Sequence, residues 1–199
     1  LYLPLLLAFS NEAAAGGILS IAGVGMLLGS VVMSAWGGPK RRVPGMLGFM
    51  AIGGVAVAIT GLRESVALVA GTAFVLMATV AIVNGTSQAL WQIKVAQDMQ
   101  GRVFSVRRLM AQFAAPVSYL LAGPLADNVF EPALADGGVL AGTIGELIGT
   151  GPGRGIGLIF VLTGIGMVVV AAVTYARPHI RDLERDLPDM VGDLVPDPV

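Results

Sequence analysis

Charge is what this chain has least of. Of its 199 residues only 13% are Asp, Glu, Lys or Arg, while 55% are hydrophobic and the mean hydropathy is +0.82. An ordinary soluble domain carries about 25% charged residues to cover its surface, so water is excluded as the main solvent of this fold. Cysteine is absent altogether, which removes disulfides, thiolate nucleophiles and cysteine metal sites. The single histidine, His179, stands in a polar tail, and one imidazole without further nitrogen or sulfur donors does not make a zinc site. No metal or cofactor is expected. The net charge of −1 leaves no basic face for nucleic acid. What the chain has in quantity is glycine, 28 residues, most of them inside apolar runs. Glycine is more frequent in membrane helices than in soluble ones.

Five apolar runs follow one another, at residues 13–36, 43–62, 65–93, 103–126 and 155–176, the fourth interrupted near its start by Arg107 and Arg108. A helix needs about 20 mostly apolar residues to cross a bilayer, and the runs lack the period-two alternation of barrel strands. The expected fold is an all-α, polytopic membrane helix bundle of five spans. Residues 1–9 are apolar but too short to cross; they read as the end of a further transmembrane helix, so the chain is expected to be a piece of a larger protein. Residues 127–154 form one long loop with a mildly apolar stretch at 138–148. It fits a short interfacial helix, a mobile flap, or an ordered linker on the rim. The tail, residues 177–199, holds six acids against three arginines. Arg177, Arg181 and Arg185 recur every four residues, supported by Leu183 and Leu187 up to Pro188. A short helix would turn them toward anionic head groups; a solvated charged tail is the equal alternative.

The connectors orient the chain. Lys40, Arg41 and Arg42 follow the first span, Lys94, Arg102, Arg107 and Arg108 surround the break after the third, and the three tail arginines follow the fifth. Only Arg63 and Arg154 lie on the alternate side. Ten of twelve basic residues thus share one side, which the positive-inside rule assigns to the cytoplasm. The expectation is a multi-pass protein of the cell (inner) membrane with a cytoplasmic C-terminus.

Polar groups inside the spans are few. Asn84, Gln88 and Gln92 recur at i, i+4 and i+8, which places them along one stripe of a helix. Such amides need partners, so they face other helices or a water-filled cavity. Either they are interhelical glue or, with Gln112 in the fourth span, they line a path for a substrate. Gly25 and Gly29 form a small-xxx-small pair, suited to close helix packing. Pro116 and Pro124 bend the fourth span. No Asp, Glu, Lys or His lies in the interior of any span, which removes an intramembrane proton acceptor and the carboxylate or Ser–His sets of a hydrolase. No enzyme is expected; Glu131, Asp136 and Glu146 of the long loop are the remaining acids an external catalyst would have.

Taken together, several stretches resemble the major facilitator superfamily. Residues 23–30 and the turn Trp36, Gly37, Gly38, Pro39, Lys40, Arg41, Arg42 are similar to the eighth helix and its following loop. Residues 84–92, followed by Gln100, Gly101, Arg102, Val103, resemble the tenth helix and its cytoplasmic turn, and Gly123–Asp127 the end of the eleventh. The tail at 181–189 resembles those of macrolide and siderophore exporters. The resemblance spans nearly the whole chain, as the end of helix seven through helix twelve. It implies half of a secondary-active, proton-coupled exporter of small, largely apolar organic molecules, with the lipid bilayer and a missing N-terminal half as partners. Asn84, Gln88 and Gln112 would line the substrate path; Gly38, Lys40, Arg41, Arg42, Gly101, Arg102, Arg107 and Arg108 would form the cytoplasmic loop and gate. The acid of the family's basic loop pattern is absent here, so a charge-relay latch is not carried over to this loop. The alternative from another class is a non-transporting membrane anchor or assembly subunit.

Overall fold

The computed structural model describes residue 5 and residues 10–135, 137–151, 153–187 and 189–190. Most of the segment at 1–9, with Asp136, Pro152, Pro188 and the last nine residues of the tail, lies outside the described residues. The architecture is all-helical, with no strand among the described residues. The long helices are α1 (Glu12–Trp36), α2 (Arg42–Thr60), α3 (Val66–Lys94), α4 (Gln97–Leu125) and α7 (Arg154–Ala176). Short turns of helix are α5 (Glu131–Leu134), α6 (Ile144–Ile148), α8 (Pro178–Arg181) and α9 (Leu183–Asp186). Five helical segments are long and apolar enough to cross a membrane.

Local chemistry sets the boundaries. The Asn11 side chain accepts from the Ala14 N–H at 2.9 Å and starts α1, satisfying one of the donors a helix leaves unpaired. Gly37, at φ 77°, ends it by donating to the Met33 carbonyl, a conformation that only glycine adopts cheaply. Ser65 caps α3 in the same way as Asn11 caps α1. Pro124 removes a donor near the end of α4, and the chain relaxes into a π-helical turn at Ala126–Phe130.

Helix α1 packs on α3, α3 on α2, and α2 on α7, in that lateral order. Glycine makes two of these crossings close. A methyl group added to Gly29 would lie 2.5 Å from the carbonyl oxygen of Ala78, and one added to Gly25 would overlap the carbonyl oxygen of Phe74. The small-xxx-small pair therefore meets α3 backbone to backbone. Across α2 and α7, Gly54 and Gly164 meet likewise, an added methyl on Gly54 falling 2.9 Å from the Gly164 carbonyl oxygen. Lipid gives helices no hydrophobic reason to associate, so van der Waals contact of this closeness is what holds them. Polar ties add to it: Thr60 Oγ1 on α2 donates to Thr72 Oγ1 on α3 at 2.7 Å, and Thr72 in turn to the Leu68 carbonyl at 2.9 Å.

Helix α4 is different. Among the described residues it packs along none of the other long helices, and Leu109, Met110, Phe113 and Leu120 are all about two-thirds exposed or more, Leu120 reaching 74%. Leu27 and Val31 of α1 are exposed to a similar degree. Apolar surface on this scale is out of place in water and is what a helix presents to lipid or to another membrane segment.

The long loop is an ordered linker. Leu134, Ile148 and Leu158 form a small core with Phe130, Ile144 and Val161 around it, so the loop is folded onto the first turns of α7. Both oxygens of the Glu131 carboxylate accept backbone N–H groups there, from Gly153 and, at 2.9 Å, from Gly155. Arg154 reaches Glu64 of the α2–α3 turn at 3.1 Å.

Candidate functional site

The amide stripe lies on a side of α3 that no helix covers closely. Around this level α3 turns Gly85 and Thr86 toward α1: Thr86 is buried with its hydroxyl donating to the Ile82 carbonyl at 2.7 Å, and a methyl on Gly85 would touch Met33 at 2.8 Å. Asn84, Gln88 and Gln92 are exposed instead, as their spacing on another side of the helix requires. None of the three side-chain amides has a hydrogen-bond partner among the described residues. Asn84 borders a cleft of about 110 Å³ between α2, α3 and α7, whose other walls include Phe49, Gly53, Val80 and Met167. The cleft is apolar except for Asn84 and Thr79. A carboxamide in hydrocarbon without a partner costs several kcal/mol, so this face is built to meet water, a ligand or another protein segment.

Gln112 is exposed on α4, one helical turn from Arg108, and shares no hydrogen bond or cavity with Asn84 or Gln88 among the described residues. These amides are therefore not gathered into one pocket within this chain. Two side chains of α4 reach α3: Gln100 donates to the Gln92 carbonyl at 3.1 Å, and Arg107 makes the larger junction. Its guanidinium donates to Ser87 Oγ at 2.8 Å and stacks over the Trp91 ring at 4.8 Å, with Phe104 at 5.8 Å. A planar cation held this way is not replaced by lysine. In a Trp36→Phe background, Arg107→Lys or Arg107→Ala is expected to shift the Trp91 emission and weaken this junction by about 1–2 kcal/mol; an unchanged spectrum would count against the stacking.

The basic end of the bundle divides into two sets. Gly38 folds the α1–α2 turn over Met33 and Thr86 with φ 88°. Arg41 and Arg42 sit beside the acids of the tail: Arg42 pairs with Glu184, and the charge on Arg41 helps keep Asp182 ionised. Lys40, Gly101, Arg102 and Arg108 are exposed, with no ion pair recorded for those three basic side chains among the described residues. Lys94, which the spacing of basic residues marked only as a flank, is the most engaged cation at this end. It contacts Asp189 at 2.7 Å and two tail carbonyls.

The arginine row of the tail does not form. Asp182, at φ −98° and ψ 5°, breaks the segment into α8 and α9, so Arg177, Arg181 and Arg185 do not share one continuous helix. Arg181 donates to Asp182 at 3.0 Å and lies 5.8 Å from the Tyr175 ring. That hydrogen bond is the main reason the Asp182 carboxyl is held below its usual range. A depressed carboxyl contributes stability above its unfolded pKa and loses it as the pH falls through the folded value. The Asp182 midpoint, followed by NMR, is thus expected below the ordinary aspartate range and back within it in Arg181→Ala.

Glu131 is committed to the start of α7 through the two N–H groups described above, while Glu146 is exposed. No three or more metal-ligating side chains converge among the described residues. No family model, curated protein or solved structure matches the chain.

Proposed function

We propose that the chain is half of a major facilitator superfamily carrier, a secondary-active, proton-coupled exporter of small, largely apolar organic molecules. It would sit in the inner cell membrane with the tail in the cytoplasm. The observation that carries this reading is the unpartnered stripe of Asn84 and Gln88 on an exposed face of α3, with Asn84 bordering an apolar cleft. In such carriers two six-helix halves rock about a central site. The open face of α3 and the exposed length of α4, which carries Gln112, would then be surfaces that the other half covers. Neutral amides suit a substrate that is mostly apolar and needs only a few hydrogen bonds for orientation. On this reading the coupling acid would belong to the other half of the carrier, since no span here has an acid in its interior.

Export from cells expressing the full protein tests this. Asn84→Leu and Gln88→Leu, at unchanged protein level, are expected to lower the export rate about tenfold or more, the loss of one or two substrate hydrogen bonds. Undiminished export would remove both residues from the path. The alternative, a non-transporting anchor or assembly subunit, draws on the way Gly25, Gly29, Gly54 and Gly164 are all spent on packing. It expects the same amide variants to disturb assembly with a partner subunit and no solute flux at all.

A further inference from the structure

Two helix ends meet at the basic end of the bundle, and each leaves backbone groups that its own sequence does not satisfy. The first turn of α2 has no capping side chain at Arg41, and at the end of α3 the Gln92 carbonyl accepts from the Gln100 amide while the Ile93 carbonyl has no further turn to receive it. The tail supplies both. The Glu184 carboxylate accepts from the Arg42 N–H at 2.7 Å and stands 3.8 Å from the Arg42 Nε, a negative charge at the positive end of a helix. The Met190 N–H donates to the Ile93 carbonyl at 3.0 Å.

Lys94 fixes the middle. Its side chain is only 10% exposed, and its ammonium donates to the Glu184 carbonyl at 2.7 Å, to the Leu187 carbonyl, and to the Asp189 carboxylate at 2.7 Å. An ammonium has three protons, and the tail takes all three. Glu184 serves both helices at once, through its carboxylate on α2 and its carbonyl on α3. The break at Asp182 separates α9, which carries Glu184, from α8. A solvated tail would have no reason to bury a lysine or to cap a helix 142 residues away.

We propose that residues 182–187 together with Asp189 and Met190 are a strap that clamps the first turn of α2 to the last turn of α3 and holds this end of the bundle closed. Its inner part, the Lys94–carbonyl contacts, is sheltered; its outer part, Asp189, is largely open to solvent, so salt loosens the strap from the outside. Any role in gating rests on the carrier reading, but the clamp itself does not.

The test uses the protein in lipid nanodiscs with Lys94→Met, Lys94→Arg and Glu184→Ala. Hydrogen exchange at residues 42–46 and 183–187 is expected to run at least tenfold faster in Lys94→Met and Glu184→Ala than in the wild type, with Lys94→Arg close to wild type. Because the chain has no cysteine, spin labels attached through Lys40→Cys, beside the start of α2, and Gln92→Cys, in the last turn of α3, report the spacing of the two ends without removing any native thiol. That distance distribution is expected to broaden when the strap is released. Unchanged exchange in both variants would overturn the docking, and faster exchange in the tail with an unchanged distance distribution would overturn the clamp. Neither measurement involves transport, so a failed export assay would remove the carrier reading and leave this one standing.

Discussion

Gly164→Leu is expected to separate α7 from α2 and lower the unfolding temperature of the detergent-solubilised protein by roughly 6–12 °C. The cause is contact with backbone rather than with a side chain that can move. A methyl group at Gly164 would overlap the Ala58 nitrogen and the Gly54 carbonyl oxygen, and would lie 2.7 Å from the Ala58 Cβ. None of these atoms can move without displacing the helix, so the substitution falls at the upper end of overpacking costs, about 3 kcal/mol. The same helix contains its own control. Gly166 has nothing within 4 Å of an added methyl, and Gly166→Leu is expected to leave the transition within the scatter of replicate scans. Equal effects at the two positions would mean that glycine matters here through helix propensity and not through contact.

Glu131→Ala is expected to open the long loop while the transmembrane helices stay assembled. The carboxylate caps α7 by accepting from Gly153 and Gly155, and it does so beside the positive end of the helix, where a cap and a charge together are worth about 2 kcal/mol. Its loss leaves two backbone donors unpaired next to the Leu134–Ile148–Leu158 core. Limited proteolysis within residues 137–151 is expected to accelerate roughly tenfold or more, while Glu146→Ala, which alters an exposed acid, leaves the rate unchanged. Glu131→Gln separates the two contributions, because the amide oxygen still accepts a hydrogen bond and the charge is gone. Resistance to cleavage in Glu131→Ala would mean that the apolar core of the loop suffices without its cap.

Much of the scaffold is legible in the sequence because one kind of residue reports it. The ends of the five long helices fall within a few residues of the limits drawn from hydropathy, except at the start of α4. There the helix begins at Gln97, well before the apolar run at 103, because Arg102, Arg107 and Arg108 are good helix formers that hydropathy alone discards. The Gly25–Gly29 contact is legible for the same local reason, since the spacing i, i+4 is itself the geometry of the crossing. The tail is not legible. Its partners are Arg42 and Lys94, far away in sequence, and the acid that caps α2 arrives from residue 184. Nor can spacing reveal that Arg107 is occupied by Ser87 and Trp91 while Arg108 beside it is exposed. Adjacent residues on a helix point about 100° apart, and only the position of the neighbouring helix decides which of the two finds a partner. The amide stripe is half legible: periodicity places Asn84 and Gln88 on one face, but that this face is open within the chain follows from α4 standing apart.

Val139 of the folded loop is 91% exposed, and the segment is held on either side of it by Leu134 and Ile148, which share one small core. A loop pinned at both feet tolerates extra residues at its crown. A short epitope inserted there would therefore leave the bundle intact and carry a label to whichever compartment the loop occupies. Antibody access in sealed cells against permeabilised ones would then read the orientation of the entire chain from a single position.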